Sequence, residues 1–210
     1  MERTTSIKEA KQIFGNNFIG PDELVHIADQ MGIKVPSEIP RIPYDLEDLK
    51  NKKSEYILIF GASQMESGER LTLRTLRNYF GINPDISEPC FYNQDWYLKE
   101  KFVEEPLESA WFLIRKNVFQ ESRAKDPEEI SKNCIFPTAV LCAYSFFTYW
   151  LLNGEALWQH DFIWCRNKDH NGDRIYVGKY YDTEGINKNG FSIHRHLSLR
   201  NCYAVIDFYN

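Results

Sequence analysis

Charged residues occur along most of the chain, but the segment 133–154 contains no Asp, Glu, Lys, Arg or His. Six of its 22 residues are aromatic. A helix that is apolar on nearly every side is buried in a membrane or in a protein core. Pro137, Ser145 and Thr148 dilute the run, and its flanks lack the basic cluster that orients a membrane span. The pattern therefore favours a helix 138–153 buried inside a globular fold, with a transmembrane span as the alternative.

Local signals in the first 54 residues predict three short helices and one extended connector. Ser6 and Glu9 have the spacing of a capping box and begin the first helix. The second helix runs from Pro21 to Gly32, because proline favours the first position of a helix and glycine its end. Three prolines between residues 36 and 43 exclude a helix there and indicate an extended connector. Asp45 then caps the third helix.

Apolar runs further along the chain predict strands, which become frequent in the C-terminal third. The nearly continuous apolar runs at 56–62 and 111–118 are typical of buried strands, and a helix over 73–80 lies between them. Asn171-Gly172 is a strong turn signal, so the strand-like runs on either side of it form a hairpin. The predicted C-terminal strands are 161–166, 174–182, 190–197 and 202–208.

Helices first and meandering strands last favour an α+β fold with an antiparallel sheet. We expect a single domain over residues 1–210, since a chain of this length suits one hydrophobic core. The buried helix 138–153 is expected to pack on a mainly antiparallel sheet built largely from the C-terminal third. The N-terminal helical part, residues 1–54, is expected to wrap a core formed by residues 55–210.

Composition narrows the classes of partner and compartment. The formal net charge is −5, and the chain has no run of basic residues of the kind that neutralises phosphates, so nucleic-acid binding is not expected. The N-terminal residues lack the apolar stretch of a signal peptide. The five cysteines are widely spaced without a C-x-x-C pair. We therefore expect reduced thiols in a soluble, cytoplasmic protein with no membrane partner.

Aromatic residues make up 15% of the chain, and Phe91–Tyr97 (FYNQDWY) places four of them around amide and carboxylate groups. Aromatic walls with polar side chains between them are typical of a sugar or peptide pocket. The segment therefore predicts a binding site formed by Tyr92, Asn93, Gln94, Asp95 and Trp96. The alternative is a long loop whose rings anchor it to the core while its polar groups cap backbone groups.

His194 and His196 form an H-x-H pair on a predicted strand, so both imidazoles lie on the same face. This spacing suits two ligands of a zinc or iron ion, with Asp182, Glu184 or His160 as the third. The alternative is a half-exposed strand face that carries polar residues outward. No cofactor is predicted, and a divalent metal is the alternative for which the sequence offers ligands.

Two further patterns favour structural interpretations. Residues 169–173 alternate Asp, Asn and Asp like the start of a calcium loop. An EF-hand needs glycine at its sixth position and glutamate at its twelfth, where this chain has Gly172 at the fourth and Tyr180 at the twelfth. A hairpin turn is therefore expected. Cys142 is a formal candidate for a nucleophile, but a thiol in the middle of an apolar helix is expected to act as a small hydrophobe.

Residues 16–50 read NNFIGPDELVHIADQMGIKVPSEIPRIPYDLEDLK, and FYNQDWY and the WFLIRK strand follow them. Together these segments resemble a group of uncharacterised bacterial proteins that share an NFIGP(D/E)EL opening, an IPxIP connector and a YNQDWY segment. The resemblance covers residues 16–115 and extends weakly to Val177–Tyr181. It implies a single unbroken domain and a soluble protein of bacterial origin. It implies no activity, cofactor or catalytic residue.

The sequence leaves two classes of function open. The preferred hypothesis is a binding or interaction protein that recognises a small-molecule or protein ligand through Phe91–Tyr97 and the C-terminal hairpin. The alternative is a metal-dependent hydrolase in which His194 and His196 bind the ion and an Asp or Glu acts as general base. An inhibitor-like or immunity-type partner protein is also compatible with the acidic charge.

Overall fold

The computed structural model describes residues 4–132, 134–179, 189–195 and 199–209, which form six α-helices and eight β-strands. The helices are α1 (Ile7–Phe14), α2 (Pro21–Met31), α3 (Leu46–Lys52), α4 (Leu73–Phe80), α5 (Pro127–Ile130) and α6 (Ala139–Asn153). The strands are β1 (Phe18–Ile19), β2 (Tyr56–Phe60), β3 (Trp111–Arg115), β4 (Phe162–Lys168), β5 (Arg174–Gly178), β6 (Ser192–Arg195), β7 (Tyr203–Ala204) and β8 (Phe208–Tyr209).

The helices begin and end at the residues that the sequence signals indicate. The Ser6 hydroxyl accepts a hydrogen bond from the Glu9 N–H, and the Glu9 carboxylate accepts one from the Ser6 N–H. Four other side chains each accept a hydrogen bond from a backbone N–H in the first turn of the helix that follows them, namely Asp45, Thr72, Asp126 and Thr138. Gly154 takes a left-handed conformation and ends α6, which costs little for a residue without a Cβ atom.

The described residues form two four-stranded, mainly antiparallel sheets, which confirms the α+β fold. The first sheet has the order β1-β2-β3-β8 and the second the order β6-β5-β4-β7. Only the pairs β1–β2 and β4–β7 are parallel among these strands. The second sheet comes entirely from the C-terminal third, as expected. The first sheet was not predicted as a separate unit, because β2 and β3 pair across 50 intervening residues and no local pattern marks such a pairing.

The predicted strand 202–208 is divided between the two sheets. Tyr203–Ala204 pairs with β4 in the second sheet, whereas Phe208–Tyr209 pairs with β3 in the first. Val205 and Ile206 between them are buried, so the chain crosses from one sheet to the other inside the protein. From the N-terminal part, β1 joins the first sheet, and the wrapping of the remaining core by residues 1–54 stays a prediction.

Helix α6 lies at the buried centre of the fold. Every residue from Ala139 to Tyr149 is buried, and the helix contacts α2, α4, β4 and β5. The Tyr144 hydroxyl donates a 2.9 Å hydrogen bond to the Phe60 carbonyl and accepts one from the Ala62 N–H. This burial confirms the prediction of an interior helix. In the part of the chain that the structure describes, no helix is long and apolar enough to span a bilayer.

The second sheet has two different faces because side chains alternate along its strands. One face joins the main hydrophobic core through residues that include Ile163, Ile175, Val177 and Ile193. The opposite face carries a smaller aromatic core formed by Phe136, Trp164, Tyr176, Tyr203 and Val205. Phe119, Ile130 and Cys134 pack against this smaller core. These three residues therefore lie over the aromatic face, and they also line the cavity described below.

Candidate functional site

The predicted binding segment runs along β6, which is an edge strand of the second sheet. Phe91 forms a parallel bridge with Phe191, and the Tyr92 N–H donates to the Phe191 carbonyl at 2.8 Å. The Gln94 side-chain oxygen accepts from the Ile193 N–H at 3.2 Å. The Trp96 indole N–H donates to the Ile193 carbonyl at 3.0 Å. Two of the predicted binding side chains therefore complete the backbone hydrogen bonding of a sheet edge.

The other three predicted binding residues are more accessible. Tyr92 is 41% exposed, and Asn93 and Asp95 are exposed as well. The Asp95 carboxylate forms a 2.6 Å ion pair with Arg77. Tyr92 and Asn93 are exposed, and their side chains make no hydrogen bond of normal length to other described residues. Ligand recognition by residues 92–96 stays a prediction.

His194 lies beside the predicted binding segment, so the structure brings two of the predicted sites together. Its Nδ1 atom is 3.4 Å from the Gln94 side-chain nitrogen. Its ring stacks on Tyr176 with the centroids 5.3 Å apart, and Phe162 meets it edge-on. Burial in this aromatic setting lowers the pKa of His194 below its ordinary value. The arrangement places His194 on the aromatic face of the second sheet.

Of the remaining predicted metal ligands, only His160 lies among the described residues. His160 is exposed and has a left-handed backbone with φ of 62°. Asp182 and His196 lie outside the described residues, as does Glu184. The metal site built on the H-x-H pair therefore stays a prediction.

Glu100, Asp169 and His170 form the one cluster of possible metal ligands among the described residues, with ligand atoms within 4.8 Å of one another. The Glu100 carboxylate accepts from the His170 backbone N–H at 3.0 Å and lies 2.6 Å from His170 Nδ1. The Asp169 carboxylate accepts from Arg195 at 3.0 Å. These contacts fasten the β4–β5 hairpin to residues 96–100, because Arg195 also lies over the Trp96 ring.

The loop between β4 and β5 is a hairpin turn, as predicted. Asp169 accepts hydrogen bonds from the N–H groups of Asn171 and Asp173, both at 2.9 Å. Burial alone would raise the pKa of Asp169, but the hydrogen bonds from Arg195 and from these backbone groups outweigh it, so its pKa lies below the ordinary value. These N–H donors already stabilise the Asp169 carboxylate, and a calcium ion bound there would have to displace them.

A cavity of about 460 Å³ lies where the two sheets meet, beside β8. Its described lining residues come from three stretches of chain, namely 119–125, then Ile130 with Cys134 and Ile135, and 205–209. Most of the lining side chains are apolar, and these are Phe119, Ile130, Cys134, Ile135, Val205, Phe208 and Tyr209. The volume falls in the range of small-molecule sites, which are concave and mostly apolar with a few polar groups.

Backbone hydrogen bonds hold the 119–125 wall in place along the free edge of β7. The Phe119 N–H donates to the Val205 carbonyl at 3.0 Å, and the Ala124 N–H donates to the Tyr203 carbonyl at 3.2 Å. The Ser122 hydroxyl accepts from the Val205 N–H and donates to the Phe119 carbonyl. This wall is therefore fixed by the fold before any ligand binds.

The polar groups of the cavity are few, and the Asp207 carboxylate accepts the most hydrogen bonds among them. Both of its carboxylate oxygens accept from the Tyr56 hydroxyl, at 3.0 and 2.9 Å, and one also accepts from Tyr209 at 3.1 Å. Glu121 and Lys125, both exposed, add two charges of opposite sign. The sequence analysis did not find this site, because its walls come from loops without periodicity and from a strand that divides between two sheets.

A second cleft of about 430 Å³ lies near the C-terminal end of α6. Its lining is mostly polar and includes Lys116, Glu155, Gln159 and Asp161.

No protein-family model, curated protein or solved structure matches the chain. The chemistry of the sites themselves therefore carries the functional argument, and the cavity beside β8 combines a volume in the small-molecule range with a mostly apolar lining.

Proposed function

We propose that the protein is a binding protein that holds a small, largely apolar molecule in the cavity beside β8. The observation that carries this proposal is the apolar-lined volume of about 460 Å³ with three charged groups in its lining. The class of function agrees with the preferred sequence hypothesis. The recognition site differs from the segment Tyr92–Trp96, where two side chains already serve the edge of β6.

The energetics of such a site follow from apolar burial. A ligand that loses about 200 Å² of apolar surface to the cavity gains on the order of 5 kcal/mol, at roughly 25 cal/mol per Å². Part of this gain offsets the lost freedom of the ligand. The wall at 119–125 is already held by hydrogen bonds to β7, so little additional ordering of the protein opposes binding.

N-phenyl-1-naphthylamine, an uncharged apolar fluorophore, tests this proposal by its fluorescence increase on binding. The informative variant is Ile135→Glu, which places a charge on the cavity wall at a side chain that is 72% exposed and so leaves the core intact. Ile86→Glu is the matched control, because Ile86 is 84% exposed and lies outside the cavity lining. We expect saturable binding that Ile135→Glu weakens at least about tenfold, equivalent to 1.4 kcal/mol, and that Ile86→Glu leaves unchanged. Absence of saturable binding, or equal weakening by both variants, would contradict the proposal.

We infer that the protein is bacterial and cytoplasmic, which the resemblance over residues 16–115 and the cysteine chemistry support. All five cysteines are free thiols, namely Cys90, Cys134, Cys142, Cys165 and Cys202. Unpaired cysteines are typical of reducing compartments. Fractionation of the native host followed by immunodetection tests this location.

A further inference from the structure

The lining of the cavity contains charged groups, which a purely apolar pocket would lack. Two carboxylates, Glu121 and Asp207, and one ammonium group, Lys125, belong to its lining. We propose that the ligand is an organic cation, an apolar body that carries a protonated amine, and that Asp207 binds the ammonium group. This inference rests on the proposed function, since it names the ligand class of the same cavity.

Asp207 is the main support because its negative charge is not offset by a cation in direct contact. The donors to its carboxylate are the hydroxyls of Tyr56 and Tyr209. Burial raises the pKa of Tyr56, so this phenol stays a neutral donor. Among the described residues Asp207 takes part in no ion pair. A half-buried carboxylate attracts a cation more strongly than a fully exposed one, because water screens the pair less.

The nearest guanidinium group is already engaged elsewhere. Arg115 donates to the Tyr56 hydroxyl at 3.4 Å and forms a 2.7 Å ion pair with Glu55. Its guanidinium also lies over the Phe119 ring, 4.3 Å from the centroid. Arg115 therefore interacts with Asp207 across Tyr56 and without an ion pair, and Asp207 itself lines the cavity.

The aromatic walls favour the same class of ligand. Phe119, Phe208 and Tyr209 line the cavity, and the face of an aromatic ring attracts cations. The Lys52 ammonium group lies 4.1 Å from the centroid of the Tyr209 ring, and Arg115 lies over Phe119. Phe208 is therefore the wall ring that carries no such cation among the described residues. An amine on an apolar body would combine apolar burial with a charge partner for Asp207.

Three eight-carbon probes that differ only in their head group test the inference. Octylamine, 1-octanol and octanoate are cationic, neutral and anionic at pH 7, and each is titrated below its aggregation limit against bound N-phenyl-1-naphthylamine. We expect octylamine to displace the fluorophore at a concentration at least about tenfold lower than the other two. Asp207→Asn is expected to remove this preference while displacement by octanol persists, which also shows that the variant is folded.

Two exposed positions keep the test decisive if Asp207→Asn disturbs the fold. Glu121→Gln is expected to reduce the octylamine preference about two- to threefold and Lys125→Gln to increase it by a similar factor, as for exposed charges worth about 0.5 kcal/mol. Tighter displacement by octanoate or octanol, or a preference that none of the three variants changes, would overturn the cationic ligand while the cavity keeps its binding function. Failure of N-phenyl-1-naphthylamine to bind at all would instead contradict the proposed function.

Discussion

The indole N–H of Trp96 donates a 3.0 Å hydrogen bond to the backbone carbonyl of Ile193. Gln94 accepts from the N–H of the same residue, so both outward backbone groups of Ile193 are satisfied by side chains. An open strand edge is a template for pairing with other chains. Residues 91–96 therefore protect β6 from such pairing while remaining a loop themselves.

Replacement of Trp96 by phenylalanine is expected to destabilise the protein by about 1–2 kcal/mol, because the Ile193 carbonyl loses its donor in a partly buried position. Urea unfolding at pH 7.5 measures the change. Asn93→Ala is the control, since Asn93 is exposed in the same segment, and a change within about 0.5 kcal/mol is expected for it. Equal stability of the Trp96→Phe protein and the wild type would show that the bond does not hold the edge.

The buried helix gives a second test through Tyr144, whose hydroxyl links α6 to the end of β2. Removal of this hydroxyl in Tyr144→Phe leaves the Phe60 carbonyl without its donor in the interior, at a cost of about 1–3 kcal/mol. Tyr97→Phe is the comparison, because the Tyr97 hydroxyl is also buried but lies near Arg77 without a hydrogen bond of normal geometry among the described residues. We expect the midpoint temperature of thermal unfolding to fall by several degrees more for Tyr144→Phe than for Tyr97→Phe.

The sequence predicts local features of the fold well because their causes are local. The caps at Ser6, Asp45 and Thr138 each depend on a side chain and a backbone N–H three residues away. The burial of α6 is predicted by the absence of charged residues from its segment of the sequence. Pairing of β2 with β3 and the division of β7 from β8 depend on contacts between distant residues, for which a single sequence carries no periodic signal.

The same contrast between local signals and contacts of distant residues applies to the candidate sites. Phe91–Tyr97 stands out in the sequence through its residue types, but whether Gln94 serves a ligand or a strand edge depends on the position of Ile193, about a hundred residues away. The cavity depends on Phe119, Ile135 and Phe208 meeting in space. Each of these residues is an ordinary apolar residue in its local context. Only the fold makes them one surface.

The environment of His194 predicts a pH dependence of stability. Burial lowers the pKa of His194 below its ordinary value of 6.5. As the pH falls below about 6.5, the unfolded chain therefore takes up a proton at this residue before the folded protein does. The unfolded state binds more protons in this window, so the free energy of unfolding decreases as the pH falls from 6.5 towards the lower pKa of the folded state.

The measurement is urea unfolding at pH 7.5, 6.5 and 5.5 for the wild type, His194→Gln and His26→Gln. We expect His194→Gln to show a smaller loss of stability between pH 7.5 and 5.5 than the wild type. His26 is exposed on α2, so His26→Gln is expected to keep the dependence of the wild type. Identical pH profiles for the wild type and His194→Gln would contradict the assignment of this dependence to His194.

Cysteine reactivity tests the cavity without a variant, because one half-buried cysteine lines it and another does not. Cys134 belongs to the cavity wall, whereas Cys202 is half-buried outside it. Burial raises the pKa of both thiols, and the nearby Asp207 carboxylate adds to the effect at Cys134, so alkylation by iodoacetamide is expected to accelerate strongly between pH 7 and pH 9. Cys90, Cys142 and Cys165 are buried and should remain unmodified in the native protein. Peptide mapping is expected to show that saturating N-phenyl-1-naphthylamine slows the alkylation of Cys134 several-fold and leaves the rate at Cys202 unchanged. Equal slowing at both cysteines would show that the fluorophore binds outside the cavity.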